Sequence, residues 1–233
     1  MKHQKSLFFF FAVALTAISC QERLQIEGST SVPLLEGKTL YLRSFVEDEM
    51  ITLDSARITH GRFHFTGTAP ETTVFAQLFL GGESILPIVL DGKALTITLA
   101  DDGRKVEGSE LNDSLFAFIS RKAEVDRQLM ELPRRESQMI LNGLDHDEIL
   151  AQLNEEANEL GARNEQMILR FIKNNMNNPL GAGVFMMATA NLPYPVMTPQ
   201  MEELVTLAPE SFRNDDYVRY YLKQVQDQEE EYE

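Results

Sequence analysis

The segment ITLDSARITHGRFHFTG, residues 51–67, reads as two short strands joined by a tight turn at His60-Gly61. A two-residue loop sets Thr59 opposite Arg62, Ile58 opposite Phe63 and Ala56 opposite Phe65. Ala56, Ile58, Phe63 and Phe65 then share an apolar face, while Arg57, Thr59, Arg62 and His64 share a polar one. Side-chain period and turn register agree, as a hairpin requires. Gly61 supplies a positive φ at no steric cost, and His60 tolerates one.

Working outward, the pattern on both sides is also strand-like. Leu24-Gln25-Ile26-Glu27-Gly28 alternates, and a polar linker with Pro33 follows over residues 28–37. Residues 38–45 alternate again, with Leu40, Leu42 and Phe45 as inward candidates, and Glu47-Asp48-Glu49 is a charged turn. Residues 73–80 and 83–90 form two strands around Gly81-Gly82. Asp91-Gly92 reads as a hairpin turn pairing Val89 with Ala94 and Leu90 with Lys93. Leu95, Ile97 and Leu99 face one way, and Asp101-Asp102-Gly103 turns into a last strand at residues 105–108. Pro87 places its strand at an edge or a bulge. Turns about every ten residues indicate an antiparallel β-sandwich or barrel-like meander.

At Ser109 the period changes from two to that of a helix. Leu111, Leu115, Phe118, Ile119 and Leu129 recur at helical steps behind Ser109 as N-cap, with breaks at Pro133 and Asn142-Gly143. Asp145 caps a long helix whose stripe carries Ile149, Leu153, Ala157, Leu160, Ile168, Phe171 and Ile172. Gly161 weakens its middle by roughly 1 kcal/mol. Asn178-Pro179 starts a helix that is apolar nearly all round, and so buried. Thr198-Pro199 starts another, and residues 209–226 carry the last, with Val218, Tyr221, Leu222 and Val225 on its stripe. The fold class is therefore α+β: a β-rich domain at residues 20–108, an α-helical domain at 109–226, and an acidic, disordered tail at 227–233.

The first nineteen residues have a separate layout. Lys2 and Lys5 precede a nearly wholly apolar run at residues 7–18, then Ser19-Cys20. This is the pattern of a secretory signal peptide, too short to span a membrane comfortably. Ala17-Ile18-Ser19-Cys20 resembles the lipobox of bacterial lipoproteins, which implies cleavage before Cys20 and lipid attachment to it. Cys20 is the only cysteine, so its modification would leave no thiol for redox chemistry or a thiolate metal site. Loss of Lys2 and Lys5 leaves 19 basic against 36 acidic residues, a net charge of −17. Such a surface repels nucleic acid and anionic headgroups. Membrane attachment, at the outer membrane of a cell envelope, then comes from the lipid.

Asp54 with Gly61-x-Phe63-x-Phe65-x-Gly67, the Asp91-Gly92 turn, Val106-x-Gly108-Ser109, and Phe171-Ile172 ahead of Asn178-Pro179-Leu180-Gly181 form an ordered set. Together they resemble the domain of unknown function that heads many thioredoxin/AhpC-like lipoproteins of Gram-negative bacteria. The resemblance runs over residues 24–210 and implies a small β-sandwich followed by a helical segment. In many such proteins a thioredoxin-like domain with two cysteines comes next. These 233 residues carry no such pair, so that oxidoreductase activity is not carried over.

Other candidate chemistry reduces to structure. His60 and His64 on one strand would lie ~13 Å apart, too far to share a metal ion. Asp145-His146-Asp147 fits a helix cap. Gly181-x-Gly183 lacks the lysine of a phosphate loop and fits close helix packing. Met167, Met176, Met186, Met187, Met197 and Met201 follow core stripes rather than a copper site. Tyr217 and Tyr220 fall off the apolar stripe of their helix and are candidates for a sugar- or peptide-stacking face. No catalytic constellation, metal site or cofactor site emerges. The expected function is a non-catalytic binding or assembly module of the cell envelope, with an envelope protein as partner. The alternative is an accessory subunit of a separate thioredoxin-like thiol-disulfide oxidoreductase.

Overall fold

The computed structural model describes residues 23–232; the leader and Cys20 lie outside the described residues. Eight strands come first: β1 (Ile26–Thr30), β2 (Thr39–Val46), β3 (Glu49–Arg57), β4 (Arg62–Phe65), β5 (Val74–Leu80), β6 (Glu83–Leu90), β7 (Leu95–Ala100) and β8 (Gly103–Glu107). They form two four-stranded sheets, ordered β4-β1-β7-β8 and β3-β2-β5-β6. All the ladders are antiparallel except β1 with β7, which run parallel with Ile26 opposite Leu95. Six helices follow: α1 (Glu110–Leu141), α2 (His146–Asn174), α3 (Pro179–Thr189), α4 (Pro199–Thr206), α5 (Glu210–Arg213) and α6 (Asp216–Tyr232). The α+β class and the sandwich alternative are those expected.

The inward faces of both sheets form one core. Ile26, Phe63, Phe65, Leu95, Ile97 and Leu99 from the first sheet meet Leu40, Leu42, Leu78, Leu86 and Ile88 from the second. The second sheet is also covered on its outer face. Phe75 and Val89, with Phe45 half-buried beside them, belong to a second core with α1, α2, α3 and α6. Phe45 thus points away from the sandwich interior, opposite to Leu40 and Leu42, and into the helices. A third, smaller cluster joins Val125 and Leu132 of α1 to Ile149, Leu153 and Leu160 of α2.

The stretch 51–67 keeps its faces but not its pairing. Ala56, Ile58, Phe63 and Phe65 are all buried, and Arg57, Thr59, Arg62 and His64 are exposed. Thr59 and Arg62 exchange both backbone hydrogen bonds, at 2.8 and 3.1 Å, around His60 and Gly61 at φ 53° and 69°. Beyond that one pair the strands part. β3 pairs with β2, Ala56 opposite Leu40, and β4 pairs with β1, Phe65 opposite Ile26. Thr30 N–H donates to Gly61 O and Ile58 N–H to Lys38 O, so each flank has a competing neighbour. The turn is a corner between sheets. The same correction applies to Asp91-Gly92, because β6 and β7 lie in different sheets and Val89 does not pair with Ala94. The linker at 28–37 contains the end of β1 and a single 3₁₀ turn, Pro33–Leu35.

Among the helices, Ser109, Asp145, Asn178 and Thr198 are N-caps as expected. Pro133 does not break α1, which runs through it. Only one intrahelical N–H is lost there, and the helix stays packed on α2 on both sides of it, through Val125 and Leu132 before it and Met139 after it. The expected helix 209–226 is instead α5 and α6, separated at Asn214-Asp215. α6 continues as helix to Tyr232, into the stretch expected as a tail. Its Gln and Glu residues are good helix formers, with neither Gly nor Pro to stop it. Among the described residues no helix is long and apolar enough to cross a membrane.

Candidate functional site

A groove of about 540 Å³ opens where the second sheet meets the helices. One wall is the end of β2 at Phe45 and Val46, with residues 72–75 leading into β5. The other is the start of α3 and the α5–α6 junction. The two walls meet because Gly183 has no side chain. A Cβ there would sit 2.1 Å from the Phe75 ring, so α3 can approach β5 only at glycine. Gly181 does the same against Asn175, whose carbonyl oxygen a Cβ would meet at 2.6 Å. Ser44 Oγ donates to Phe75 O at 2.8 Å and ties β2 to β5 beneath the groove floor.

The groove lining combines apolar side chains, uncharged polar ones such as Thr72, Thr73, Asn177 and Asn178, and two carboxylates. Phe45, Phe75, Phe212, Met176 and Met186 supply the apolar surface. Asp215 and Asp216 are the charged groups of the lining, which contains no Lys, Arg or His. Asp215 caps α6: its Oδ1 accepts from Tyr217 N–H at 3.0 Å and Val218 N–H at 3.3 Å. Burial pushes its carboxyl above the ordinary carboxylate range, and those two backbone bonds only partly offset the effect. Asp216 accepts from Glu47 N–H at 3.2 Å and from Arg219 at 3.0 Å, fastening α6 to the β2–β3 turn.

Of the expected site residues, Cys20 lies outside the described residues. Tyr217 is buried rather than on an exposed stacking face, yet it lines the groove. Its hydroxyl lies 2.9 Å from Thr189 Oγ1, and its ring meets Phe45 edge-on at 5.2 Å. Burial raises its phenol pKa, with the Thr189 bond opposing the shift. Tyr220 is half-buried and packs against Phe45 at 5.3 Å, with its ring 6.3 Å from that of Tyr217. The structure therefore brings the two tyrosines together around Phe45. Phe45, Asp215 and Asp216 were missed as site residues. A large apolar residue on the wrong parity of an alternating strand was the available signal for Phe45.

His60 and His64 are exposed, and among the described residues no group of three potential ligands is placed to hold a metal. The six methionines weighed as a copper site lie in or against the helical core. The motif Asp54 with Gly61-x-Phe63-x-Phe65-x-Gly67 is structural. Asp54 Oδ2 accepts from Thr66 N–H at 2.9 Å and Gly67 N–H at 2.7 Å, and a Cβ on Gly67 would meet that carboxylate at 3.0 Å. Gly108, at φ 106°, lets the chain pass Ala94 O, which a Cβ would meet at 2.2 Å. Asp91 accepts from Ser109 Oγ at 2.6 Å. Asn112 of α1, fully buried, accepts from Val89 N–H and donates to Val89 O, both at 2.9 Å.

No curated protein and no solved structure matches the chain. Residues 24–115 match a family model described as Domain of unknown function (DUF4369). That span takes in the whole sandwich and the start of α1, as far as the Asn112 clamp on β6. The N-terminal part of the chain is thus a domain of unknown function with a two-sheet β-sandwich at its centre.

Proposed function

We propose that the protein is a lipid-anchored binding module of the cell envelope, which holds a cationic, apolar-sided segment of an envelope partner in the groove without transforming it. The carrying observation is the composition of the groove: aromatic and methionine side chains together with the carboxylates of Asp215 and Asp216, and no basic side chain in the lining. Electrostatic complementarity favours a basic partner, and the acidic balance of the chain favours its approach. Both carboxylates act as fixed acceptors, Asp215 for the α6 amides and Asp216 for Glu47 N–H and Arg219. Such groups position a ligand rather than shuttle protons.

Titration calorimetry with the peptide acetyl-Phe-Lys-Phe-Lys-amide and its Gln-for-Lys counterpart tests the reading. The Lys peptide binds more tightly, and Asp215→Asn and Asp216→Asn each weaken it about two- to fivefold, less so at high salt. Equal binding of the neutral peptide would overturn the claim, as would turnover of any compound abolished by one point change. Anchoring has its own test. Cys20→Ala leaves the protein uncleaved or out of the membrane fraction; a processed, lipid-bound variant would contradict it.

The match over residues 24–115, with the resemblance to lipoproteins in which such a domain precedes a thioredoxin-like one, supports a second reading. On it the protein is an accessory of a separate thiol-disulfide oxidoreductase. Crosslinking in intact cells recovers a thioredoxin-like partner if that reading holds, and none if it does not.

A further inference from the structure

The groove and the point where the chain enters the fold lie at the same end of the sandwich. β1 and β7 start side by side, Ile26 opposite Leu95. Residues 91–94 join β7 back to β6, whose last residue, Leu90, pairs with Val74 at the start of β5. Ser44, near the end of β2, bonds Phe75 there, and β2 turns into β3. Phe45, Val46 and residues 72–75 of the groove wall all belong to this end. So does the entry of the chain: Arg23 bridges Thr68, and Leu24 N–H donates to Gly67 O at 2.8 Å. Cleavage before Cys20 leaves Gln21 and Glu22 between the lipid and that bridge. Chain reach from Cys20 to Arg23, and from Thr68 to Thr72, then holds the lipidated residue within ~30 Å of the groove wall. The helical hairpin of α1 and α2 leads the other way. α1 starts at the groove end, with Ser109 on Asp91 and Asn112 on Val89. It runs back along the sandwich, where Phe116 and Ser120 share a recess with Ala100 and Arg104 at the opposite end of β7 and β8. Its 32 residues carry the tip at Asn142 ~48 Å from Ser109.

We propose that the groove opens beside the bilayer, with the hairpin pointing away from it, and that its occupant is the juxtamembrane stretch of a partner anchored in the same membrane. The inference rests on the lipid anchor and the basic, apolar-sided ligand proposed above, and adds where that ligand comes from. The groove end is acidic: Glu47, Asp48 and Glu49 form the β2–β3 turn, and Asp215 and Asp216 line the groove. A short tether holds these carboxylates near the lipid surface, where a basic stretch leaving the bilayer meets them as counter-charge. Anchoring both molecules in one membrane replaces free encounter with an effective concentration on the order of 1 mM.

The test uses the full lipidated protein in phosphatidylcholine vesicles, where acylated Cys20 leaves an introduced cysteine as the sole thiol. A fluorophore at Glu71→Cys, exposed at the groove end, is quenched by lipid carrying a headgroup nitroxide; one at Asn142→Cys, exposed at the hairpin tip, is not. Equal quenching, stronger quenching at Asn142, or failure of the protein to join the vesicles would overturn the proposal. The second arm reads energy transfer from the Glu71 fluorophore to labelled acetyl-Phe-Lys-Phe-Lys-amide, either free or with palmitoyl in place of acetyl. The palmitoylated Gln-for-Lys peptide, equally enriched at the bilayer, sets the background. Above that background the palmitoylated Lys peptide fills the groove at ~10²-fold lower total concentration than the free one. Binding of the free peptide with no gain on anchoring overturns the shared-membrane partner and leaves the groove reading standing. Binding of neither form overturns both.

Discussion

Substitution of Asn112 is the most informative perturbation of the fold. Its side chain completes the outer edge of β6 as a neighbouring strand would, taking Val89 N–H and giving an N–H to Val89 O, both at 2.9 Å. Asn112 and Val89 are both fully buried, so water cannot replace either bond. In Asn112→Ala two backbone groups lose their partners, at about 1–3 kcal/mol each, or about 2–6 kcal/mol in all. Urea denaturation reads this as a lower midpoint at an unchanged slope. Asn112→Asp keeps the acceptor for Val89 N–H but can donate to Val89 O only when protonated. Its deficit relative to the parent is therefore smaller at pH 4 than at pH 8. A loss under about 1 kcal/mol for the alanine variant, or a deficit for the aspartate variant independent of pH, would refute the reasoning.

Three further outcomes follow from the same structure. Gly183→Ala forces a Cβ into the Phe75 ring and costs about 1–3 kcal/mol by overpacking, part of which Phe75→Leu restores in the double variant. Pro133→Ala restores the missing N–H of α1 and raises stability by up to about 3 kcal/mol, read as a higher melting temperature; an unchanged melting temperature would contradict this. Asp215 titrates above its unfolded value because burial disfavours its charge, so the native state binds the proton more tightly. Stability from this group is present at low pH and lost as pH rises through its folded pKa. Asp215→Asn, which still caps α6, therefore melts higher than the parent at pH 7, and the gap closes on acidification below the usual carboxylate range.

The alternation of Ala56, Ile58, Phe63 and Phe65, and the period change at Ser109, were readable because one-sided burial leaves a local imprint on sequence. The partner of each strand was not. His60-Gly61 makes a tight turn in either a hairpin or a sheet-to-sheet corner, and the choice rests on Lys38 and Thr30, more than twenty residues away in sequence. Pro133 misled for a similar reason: its local cost is outweighed by contacts with α2 that no window around it contains. Phe45 and Val89 carried the signal of a doubly covered sheet, but only the arrival of α6 over Phe45 and of α1 over Val89 gives their parity meaning. Tyr217 looked like surface because its stripe was judged from α6 alone, whereas Phe45 of β2 buries it from the other side. The groove draws residues from four separate parts of the chain, and no single stretch announces it.

The claim that this groove receives a basic, apolar-sided segment is tested most directly by methyl resonances. Met176 and Met186 line the groove, while Met201 lies on α4 outside that lining. Titration with the Lys-Phe peptide shifts the methyls of Met176 and Met186 in the parent protein, leaves Met201 in place, and needs about two- to fivefold more peptide in Asp215→Asn. Shifts confined to Met201, or no shift at Met176 and Met186 at saturating peptide, would contradict it.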